Sequence, residues 1–383
     1  MSVTAAAGFR AAGVAAGLKS TGKPDVALVV NDGPSHAAAA VFTGNRVQAA
    51  PVVWSRQVVS DGRVDAVVLN SGGANACTGV PGFQDTHRTA EEVASLVGCS
   101  ASDVAVASTG LIGLRLPMPA LLGGVASAVS VLSPAGGADA ALAIMTTDSV
   151  PKKAVATGEG FTIGGMAKGA GMLAPALATM LVVITTDAEV DPADLDKALR
   201  SCTSTSFDRI DSDGCMSTND TVLLMASGAS GVRPAPEDFT QVLRQVCADL
   251  ARQLIADAEG ASKDISITIQ GAVSETEAVD VARTVSRSNL LKCALHGEDA
   301  NWGRVLSAVG TTSAEFDADQ LDVAINGVWV CRGGAVGEDR SLVDMTGREI
   351  AIVVDLHAGP AEATLWTNDL TAEYVHENSA YSS

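Results

Sequence analysis

The sequence is poor in aromatic residues and in basic charge. Of its 383 residues only 3% are Phe, Trp or Tyr, whereas 47% are hydrophobic. The core must therefore be filled by Val, Leu, Ile and Ala in close layers, which favours sheets covered by helices. The 25 basic side chains are outnumbered by 44 acidic ones, for a net charge of -19. Because no basic run of the kind that neutralises phosphates occurs, we expect no nucleic-acid partner.

Paired cysteines and long apolar runs are also missing. The seven cysteines form no Cys-x-x-Cys pair and have no histidine at ligand spacing, so we expect neither disulfides nor a metal site. No apolar stretch reaches the roughly 20 residues that cross a bilayer. The apolar N-terminus is interrupted by Arg10 and by glycines, unlike a signal peptide. We therefore expect a cytoplasmic protein without a membrane span.

Val-rich runs bounded by turn residues predict strands. These runs start at residues 25, 37, 64, 103, 179, 220, 264, 321 and 349. Helical patterns alternate with them, near 86–98, 118–132, 192–202, 236–257 and 276–295. The helix at 236 is predicted to stop at Gly260 as a C-terminal cap, and the stretches at 133 and 230 are typical of linkers. The alternation predicts an α/β protein with two stacked sheets covered by helices.

The run GGMAKGAGMLAPALATMLVVITTD, at 164–187, places glycines and a proline directly before a strand that opens with Thr179. One interpretation is a tight turn that leads into a buried strand. A phosphate-binding loop is disfavoured, because here the lysine precedes the glycines and a strand follows them. A third interpretation is that Thr179 is a nucleophile released by cleavage of its bond to Ala178, since an N-terminal threonine carries a base in its own α-amine.

Cleavage before Thr179 requires a distorted peptide. The Thr179 hydroxyl would attack the Ala178 carbonyl, move the acyl group from nitrogen to oxygen, and leave an ester that water cleaves. Gly169 and Gly171 permit unusual dihedral angles at low steric cost. About 1–3 kcal/mol of backbone strain would raise the cleavage rate roughly tenfold to a hundredfold. The residues alone leave both the simple turn and the nucleophile open.

Six separated motifs follow one another along the chain: STGLIG, IMTTD, KGAGMLAP, LATML, DAEG and NWGR. In these motifs the sequence resembles the bifunctional ornithine acetyltransferases (glutamate N-acetyltransferases) of arginine biosynthesis. The resemblance implies a self-cleaving precursor and a ping-pong transfer of acetyl from N2-acetyl-L-ornithine to L-glutamate, which gives ornithine and N-acetylglutamate. It also implies stacked β-sheets covered by helices, an αββα-like layering similar to that of N-terminal-nucleophile enzymes.

The resemblance further implies two chains and an assembly. Cleavage between Ala178 and Thr179 gives an α chain, 1–178, with the oxyanion and substrate-binding part, and a β chain, 179–383, that begins with the nucleophile. The paired chains then assemble as an α2β2 heterotetramer. No cofactor is implied. Some members also take acetyl from acetyl-CoA, and the sequence does not decide whether this chain does.

Matching these motifs and the C-terminal ENSAYSS, which also resembles the family ending, residue by residue gives the site that the resemblance implies. Thr109 and Gly110 form the oxyanion hole, and Thr179 is the nucleophile and a substrate contact. The other substrate-binding residues are Thr146, Lys168, Glu259, Asn378 and Ser383.

The residue types in this set suit the chemistry. The Lys168 ammonium can bind a substrate carboxylate, and the Glu259 carboxylate can pair with a substrate ammonium. Without the resemblance, both would be interpreted as exposed charges at a turn and at a helix end. Within IMTTD, Thr147 is the alternative to Thr146 as the substrate contact. We assign no catalytic role to His296, because the α-amine of Thr179 is the base.

Two other functions remain open. The first is a self-processing threonine-nucleophile amidohydrolase or aminopeptidase, in which water accepts the acyl group. The second is an uncleaved binding protein that holds a small anion on the glycine turn. Release of acetate from N-acetylornithine at the same rate with and without glutamate would favour the hydrolase.

We predict that the purified protein runs as two fragments on a denaturing gel, and that N-terminal sequencing finds starts at Met1 and at Thr179. Replacing Thr179 by Ala removes the attacking hydroxyl, so the Thr179→Ala variant should stay uncleaved and inactive. A single wild-type band near 38.6 kDa, or a processed and active Thr179→Ala variant, contradicts the assignment of the nucleophile.

Overall fold

The computed structural model describes residues 2–172 and 180–380. The expected cleavage site, Ala178 and Thr179, and the expected substrate contact Ser383 lie outside the described residues. Within the described ranges the chain forms fifteen β-strands and ten α-helices, and none of these helices is long and apolar enough to cross a membrane.

The strands follow the Val- and Ala-rich runs, and every run predicted to be a strand contains one. The strands are β1 (Phe9–Val14), β2 (Val26–Asn31), β3 (Ala37–Phe42), β4 (Ala66–Asn70), β5 (Val104–Ser108), β6 (Lys152–Gly158), β7 (Phe161–Lys168), β8 (Leu181–Thr186), β9 (Thr221–Ala226), β10 (Asp264–Ala272), β11 (Asp322–Ile325), β12 (Val328–Arg332), β13 (Ala335–Val336), β14 (Glu349–Asp355) and β15 (Ala361–Asn368). The run at 321 contains two strands. Asn326 and Gly327, both with positive φ, form the two-residue turn between β11 and β12, as an Asn-Gly pair favours.

The helices connect the strands and cover the outer faces of the sheets. They are α1 (Ala50–Val58), α2 (Gly79–Val97), α3 (Met118–Ser130), α4 (Gly137–Ala143), α5 (Pro192–Thr203), α6 (Pro236–Ala256), α7 (Glu275–Ser286), α8 (Asn289–His296), α9 (Trp302–Val309) and α10 (Ala372–Ala380). The predicted helix at 276–295 is two helices. The second begins where the Ser288 hydroxyl accepts the backbone N–H of Leu291, a typical N-terminal cap.

Two sheets pack face to face and form the expected αββα layers. One has the order β1-β2-β4-β5 and the other the order β3-β9-β8-β7-β6. Leu69 of the first sheet and Met166, Val183 and Leu223 of the second belong to the apolar cluster between them. Helices α2 and α3 cover the outer face of the first sheet, and α5 and α6 cover the second. Small Ala and Val side chains let these four layers approach closely.

A third sheet lies outside this stack. Its order is β13-β12-β11-β14-β10-β15, and α7, α8 and α9 cover one face with a separate apolar cluster. The prediction of two sheets was therefore incomplete, because the strands predicted at 264, 321 and 349 form this third sheet. Its strands alternate buried and more exposed positions. This two-residue period predicts that a segment is a strand, but it does not show which sheet the strand joins.

Two boundary predictions were wrong. Helix α6 ends at Ala256 rather than at Gly260. Gly260 has φ +62, and a Cβ there would lie 2.3 Å from the backbone nitrogen of Tyr374. The stretch at 133 is not a linker, since it contains α4, which packs against β1. At Gly136 a Cβ would lie 1.9 Å from the carbonyl oxygen of Ala11, so the glycines there serve close packing.

Several strand ends meet at one edge of the stacked sheets. Lys168 ends β7 and pairs with Leu181, the first residue of β8. Leu181 pairs in turn with Thr221, the first residue of β9. In the facing sheet β5 ends at Ser108. Segments that leave or enter these strands are thereby brought to a common edge.

The layer between the stacked sheets should dominate stability. Leu223 is 1% exposed in that layer, so Leu223→Ala should lower the free energy of unfolding by roughly 2–5 kcal/mol through lost burial and a cavity. Leu290 on α8 is 62% exposed, and Leu290→Ala should cost less than about 0.5 kcal/mol. Urea denaturation measures both, and equal losses would contradict the assignment of this core.

Candidate active site

Thr109 follows directly on β5 and is fixed by its backbone. Its N–H donates to the Asn70 carbonyl at 2.9 Å, and its own carbonyl accepts the Gly73 N–H at 3.0 Å. The Asn70 side chain accepts the Ser108 hydroxyl at 2.5 Å and donates to the Gly73 carbonyl at 3.0 Å. The segment NSGGANACTG, residues 70–79, therefore holds the Thr109 backbone from both sides.

Gly110 has a backbone that only glycine adopts easily. Its φ is +125, and a Cβ there would lie 2.8 Å from the backbone nitrogen of Gly73. Its own N–H has no hydrogen-bond acceptor among the described residues. An N–H next to a threonine hydroxyl and without a partner can bind a developing negative charge on oxygen.

Lys168 is buried beside Thr109. The side chain is 1% exposed, and its Nζ donates to Thr109 Oγ1 at 3.3 Å. The interpretation as an exposed turn lysine is therefore wrong. Because a hydroxyl has two acceptor positions and one proton, the lysine occupies a lone pair and leaves the Thr109 proton free to donate elsewhere.

Charges of both signs surround this lysine. Burial lowers the pKa of Lys168, and the Asp148 carboxylate is the strongest group that opposes this shift. Burial disfavours the charged form of Asp148, but the ammonium groups of Lys168 and Lys152 outweigh it and lower the pKa of Asp148 to about 2. Asp148 is thus an anion at neutral pH, and it stabilises the lysines.

Asp148 also fixes two backbone segments of the site. Its carboxylate accepts the N–H of Thr146 at 2.9 Å and the N–H of Gly169 at 2.7 Å. Lys152 Nζ donates to the same carboxylate at 2.6 Å and also contacts Asp257. One buried carboxylate therefore joins the IMTTD loop to the residue that follows Lys168.

Glu259 and Asn378 meet on the opposite side. Glu259 lies beyond the end of α6, is 8% exposed, and its N–H donates to the Ala170 carbonyl at 3.0 Å. Asn378 of α10 donates to Glu259 Oε2 at 2.9 Å. The C-terminal segment up to Ala380 is therefore a docked helix. Gly171 leaves room for this carboxylate, since a Cβ there would lie 2.5 Å from Glu259 Oε2.

One cavity of about 130 Å³ is lined by all six of the expected site residues that the structure describes. Thr147 lines it beside Thr146, so both remain candidates for the substrate contact. The lining residues are Ala74, Thr109, Gly110, Ile112, Thr146, Thr147, Lys168, Gly171, Met172, Ser217, Thr218, Asn219, Glu259 and Asn378.

Sequence reasoning missed several residues that build this cavity. Asn219 donates to the carbonyls of Ala74 and Ser108 at 2.6 and 2.8 Å and so joins the two sheets at the site. Asp220 is fully buried and accepts the N–H of Met180 at 3.1 Å, and burial raises its pKa well above the usual range. Both residues lie in the segment STNDT, 217–221, which also resembles the family and for which we expected only a structural or pocket-shaping role.

Within residues 2–172 and 180–380, no cluster of three or more His, Cys, Asp or Glu side chains is arranged to hold a metal ion. The seven cysteines all belong to these ranges and are free thiols. His296 Nδ1 lies 2.9 Å from Asp369 Oδ2 and does not line the cavity.

The ArgJ family model matches residues 10–383. The chain is 68% identical over 383 residues to the arginine biosynthesis bifunctional protein ArgJ of Streptomyces avermitilis, and 63% identical over 382 residues to that of Thermobifida fusca. Each comparison covers 100% of both chains. The ornithine acetyltransferase of Mycobacterium tuberculosis, solved in complex with ornithine, is 57% identical, with a TM-score of 0.45 over 47% of this chain and 96% of that chain.

The turn at Gly110 should not tolerate a side chain. Gly110→Ala forces a Cβ against Gly73 at a positive φ, and we expect a loss of about 1–3 kcal/mol in the free energy of unfolding. Gly123→Ala is the control, because nothing lies within 4 Å of its Cβ position in α3 and alanine favours a helix. Equal stability of the two variants in urea would show that the Gly110 turn is unstrained.

Proposed function

This chain belongs to the ArgJ family of arginine biosynthesis, and we propose that it transfers acetyl from N2-acetyl-L-ornithine to L-glutamate through an ester on Thr179. The observation that carries the proposal is a single cavity in which the Gly110 N–H, the Thr109 hydroxyl and Glu259 converge. Acyl transfer needs donors for an oxyanion and charged groups for an amino-acid substrate. This cavity supplies both.

In the first half-reaction the α-amine of Thr179 takes the proton of its own hydroxyl, and the oxygen attacks the acetyl carbonyl of N-acetylornithine. The tetrahedral oxyanion is stabilised by the Thr109 hydroxyl and the Gly110 N–H. The C–N bond then breaks and the proton passes to the departing nitrogen. Ornithine dissociates, and the acetyl group remains as an ester on Thr179. In the second half-reaction the α-amine of glutamate attacks the ester, and the same groups run the steps in reverse.

The two substrates enter one cavity in turn, although their side chains end in opposite charges. Glu259 can pair with an ammonium, and Lys168 carries positive charge beside the reacting carbonyl. The hydroxyls of Thr146 and Thr147 and the amide of Asn378 both donate and accept hydrogen bonds. Such groups can contact the ammonium of ornithine or the side-chain carboxylate of glutamate, and this is how we propose that one site serves both substrates.

The turn before the proposed cleavage site has unusual backbone angles, which self-cleavage by a strained peptide would require. Met172 has φ +56 although it is not glycine, and its N–H is held by Asp213 at 2.7 Å. Gly169 has φ +153, whereas Gly171 is required for space beside Glu259. The turn is therefore fixed at both ends by carboxylates, which supports the proposal that the chain enters the cleavage site in a restrained conformation.

We propose an α chain, 1–178, and a β chain, 179–383, that stay together as αβ pairs in a cytoplasmic α2β2 heterotetramer. The five-stranded sheet supports the pairing, because β3, β6 and β7 come from the first part and β8 and β9 from the second. Cleavage would cut one continuous sheet into two hydrogen-bonded chains. The chemistry uses only groups of the chain and its substrates, and replacing N-acetylornithine by acetyl-CoA in the glutamate assay tests the second donor.

We expect the processed enzyme to become heavier by one acetyl group on the β chain when it is mixed with N-acetylornithine alone. Glutamate should then restore the original mass and yield N-acetylglutamate. Mass spectrometry follows both steps. Acetate release that is equally fast without glutamate would contradict acetyl transfer and favour a hydrolase.

The Thr109 hydroxyl should matter in the transition state. Thr109→Val keeps the shape but removes the donor, so kcat should fall about 10²- to 10³-fold with little change in KM. Thr109→Ser keeps the hydroxyl and should retain most of the activity. If the valine and serine variants turn over equally fast, Thr109 is not an oxyanion donor.

A further inference from the structure

Asp148 does not contact a substrate in the proposed reaction. It does contact, or lie next to, the residues that we propose to contact the substrates. It accepts the N–H groups of Thr146 and Gly169 and the ammonium of Lys152. It is 8% exposed, and it is the anion with the strongest electrostatic effect on Lys168. Lys168 in turn donates to Thr109 Oγ1.

We propose that Asp148 is a positioning residue of the oxyanion hole, which it serves by keeping Lys168 an ammonium that directs the Thr109 hydroxyl proton into the cavity. This inference rests on the proposed function of Thr109. It gives Lys168 a second task besides contact with a substrate carboxylate. The order of action is from Asp148 to Lys168 and from Lys168 to Thr109.

The hydrogen-bond chemistry of a lysine explains why its charge matters. An ammonium has three N–H donors and no acceptor, so it can only donate to Thr109 Oγ1. A neutral amine has a free lone pair and can accept the Thr109 proton instead, which would remove that donor from the oxyanion. The charged state of Lys168 therefore decides which way the Thr109 hydroxyl points.

Several charged groups face Lys168 from the surrounding elements. The Lys152 ammonium on β6 lowers the pKa of Lys168, and three carboxylates raise it: Asp148 before β6, Glu259 after α6 and Asp220 before β9. Lys19, after β1, is near enough that Lys168 lowers the pKa of Lys19. Burial lowers the pKa of Lys168 as well. Asp148→Asn removes the strongest opposing group, so Lys168 should lose its proton at a lower pH.

Lys152 gives a test of opposite sign. Its positive charge lowers the pKa of Lys168, so Lys152→Met, which retains most of the side-chain volume, should let Lys168 keep its proton to a higher pH. General damage to the fold would not move the two variants in opposite directions. A pair of shifts with opposite signs therefore reports the charge of Lys168.

Asp187 is the control, since it is a buried carboxylate that, like Asp148, accepts two backbone N–H groups but lies at the other end of the same sheet. It is 6% exposed and accepts two backbone N–H groups, those of Thr162 at 2.7 Å and Ala7 at 3.0 Å. Thr162 lies near the start of β7, and Gly169 follows its end. Asp187→Asn thus removes a comparable buried charge away from the cavity.

The experiment measures single-turnover release of ornithine from N-acetylornithine by the processed enzyme, without glutamate, between neutral and alkaline pH. Omitting glutamate removes the titration of its amine from the profile. For Asp148→Asn we expect a rate about tenfold to a hundredfold lower, smaller than the loss of an oxyanion donor itself. Its alkaline limb should move to lower pH, that of Lys152→Met should move to higher pH, and Asp187→Asn should keep the wild-type profile.

The inference is overturned if the alkaline limbs of Asp148→Asn and Lys152→Met coincide with that of the wild type or shift in the same direction. If Asp148→Asn does not fold or cleave, the direction of the Lys152→Met shift decides alone. A wild-type enzyme that fails to pass acetyl to glutamate would overturn the proposed function. An active wild type with unshifted variants overturns only the role of Asp148.

Discussion

The pairing of β7 with β8 is the constraint on which the site depends. It places Lys168 opposite Leu181, at the edge where β9 begins and where β5 of the facing sheet ends. Strand register thereby places the buried lysine next to the start of β8, while the oxyanion segment follows β5 in the facing sheet and is held by backbone hydrogen bonds to Asn70 and Gly73. Sites held by packed sheets keep their geometry more closely than sites on loops.

Buried charge is concentrated at this edge and is compensated there. Asp148, Lys152 and Lys168 are almost fully buried, and an isolated charge in such a position would be costly. Lys152 forms ion pairs with Asp148 and Asp257, and the Asp148 carboxylate also raises the pKa of Lys168. The backbone N–H groups of Thr146 and Gly169 complete the hydrogen bonding of Asp148. Because these three side chains are almost fully buried, their interactions are stronger than they would be at a surface.

Different features of the sequence predicted the layers and the cavity. The residue pattern predicted strands and helices in layers, and the family motifs predicted which residues line the cavity. Strands rich in Val were evident from composition, whereas β7 was missed because Gly164 and Gly165 interrupt its pattern. A Cβ at those positions would meet Ser2 and Leu250, contacts that come from distant parts of the chain. The motifs located Thr109, Lys168 and Glu259 through resemblance, but the role of Asp148 arises from proximity in space, which one sequence does not reveal.

The interleaving of strands within one sheet has a consequence for how the two pieces are held together. After the proposed cut, each fragment contributes interior strands to the same hydrogen-bonded array, and β8 lies between β7 and β9. Dilution alone cannot separate partners joined in this way, because parting them means unravelling the sheet. If the chain is cut as proposed, the one-to-one stoichiometry of the fragments follows from a single translation product, and their association needs no encounter in solution.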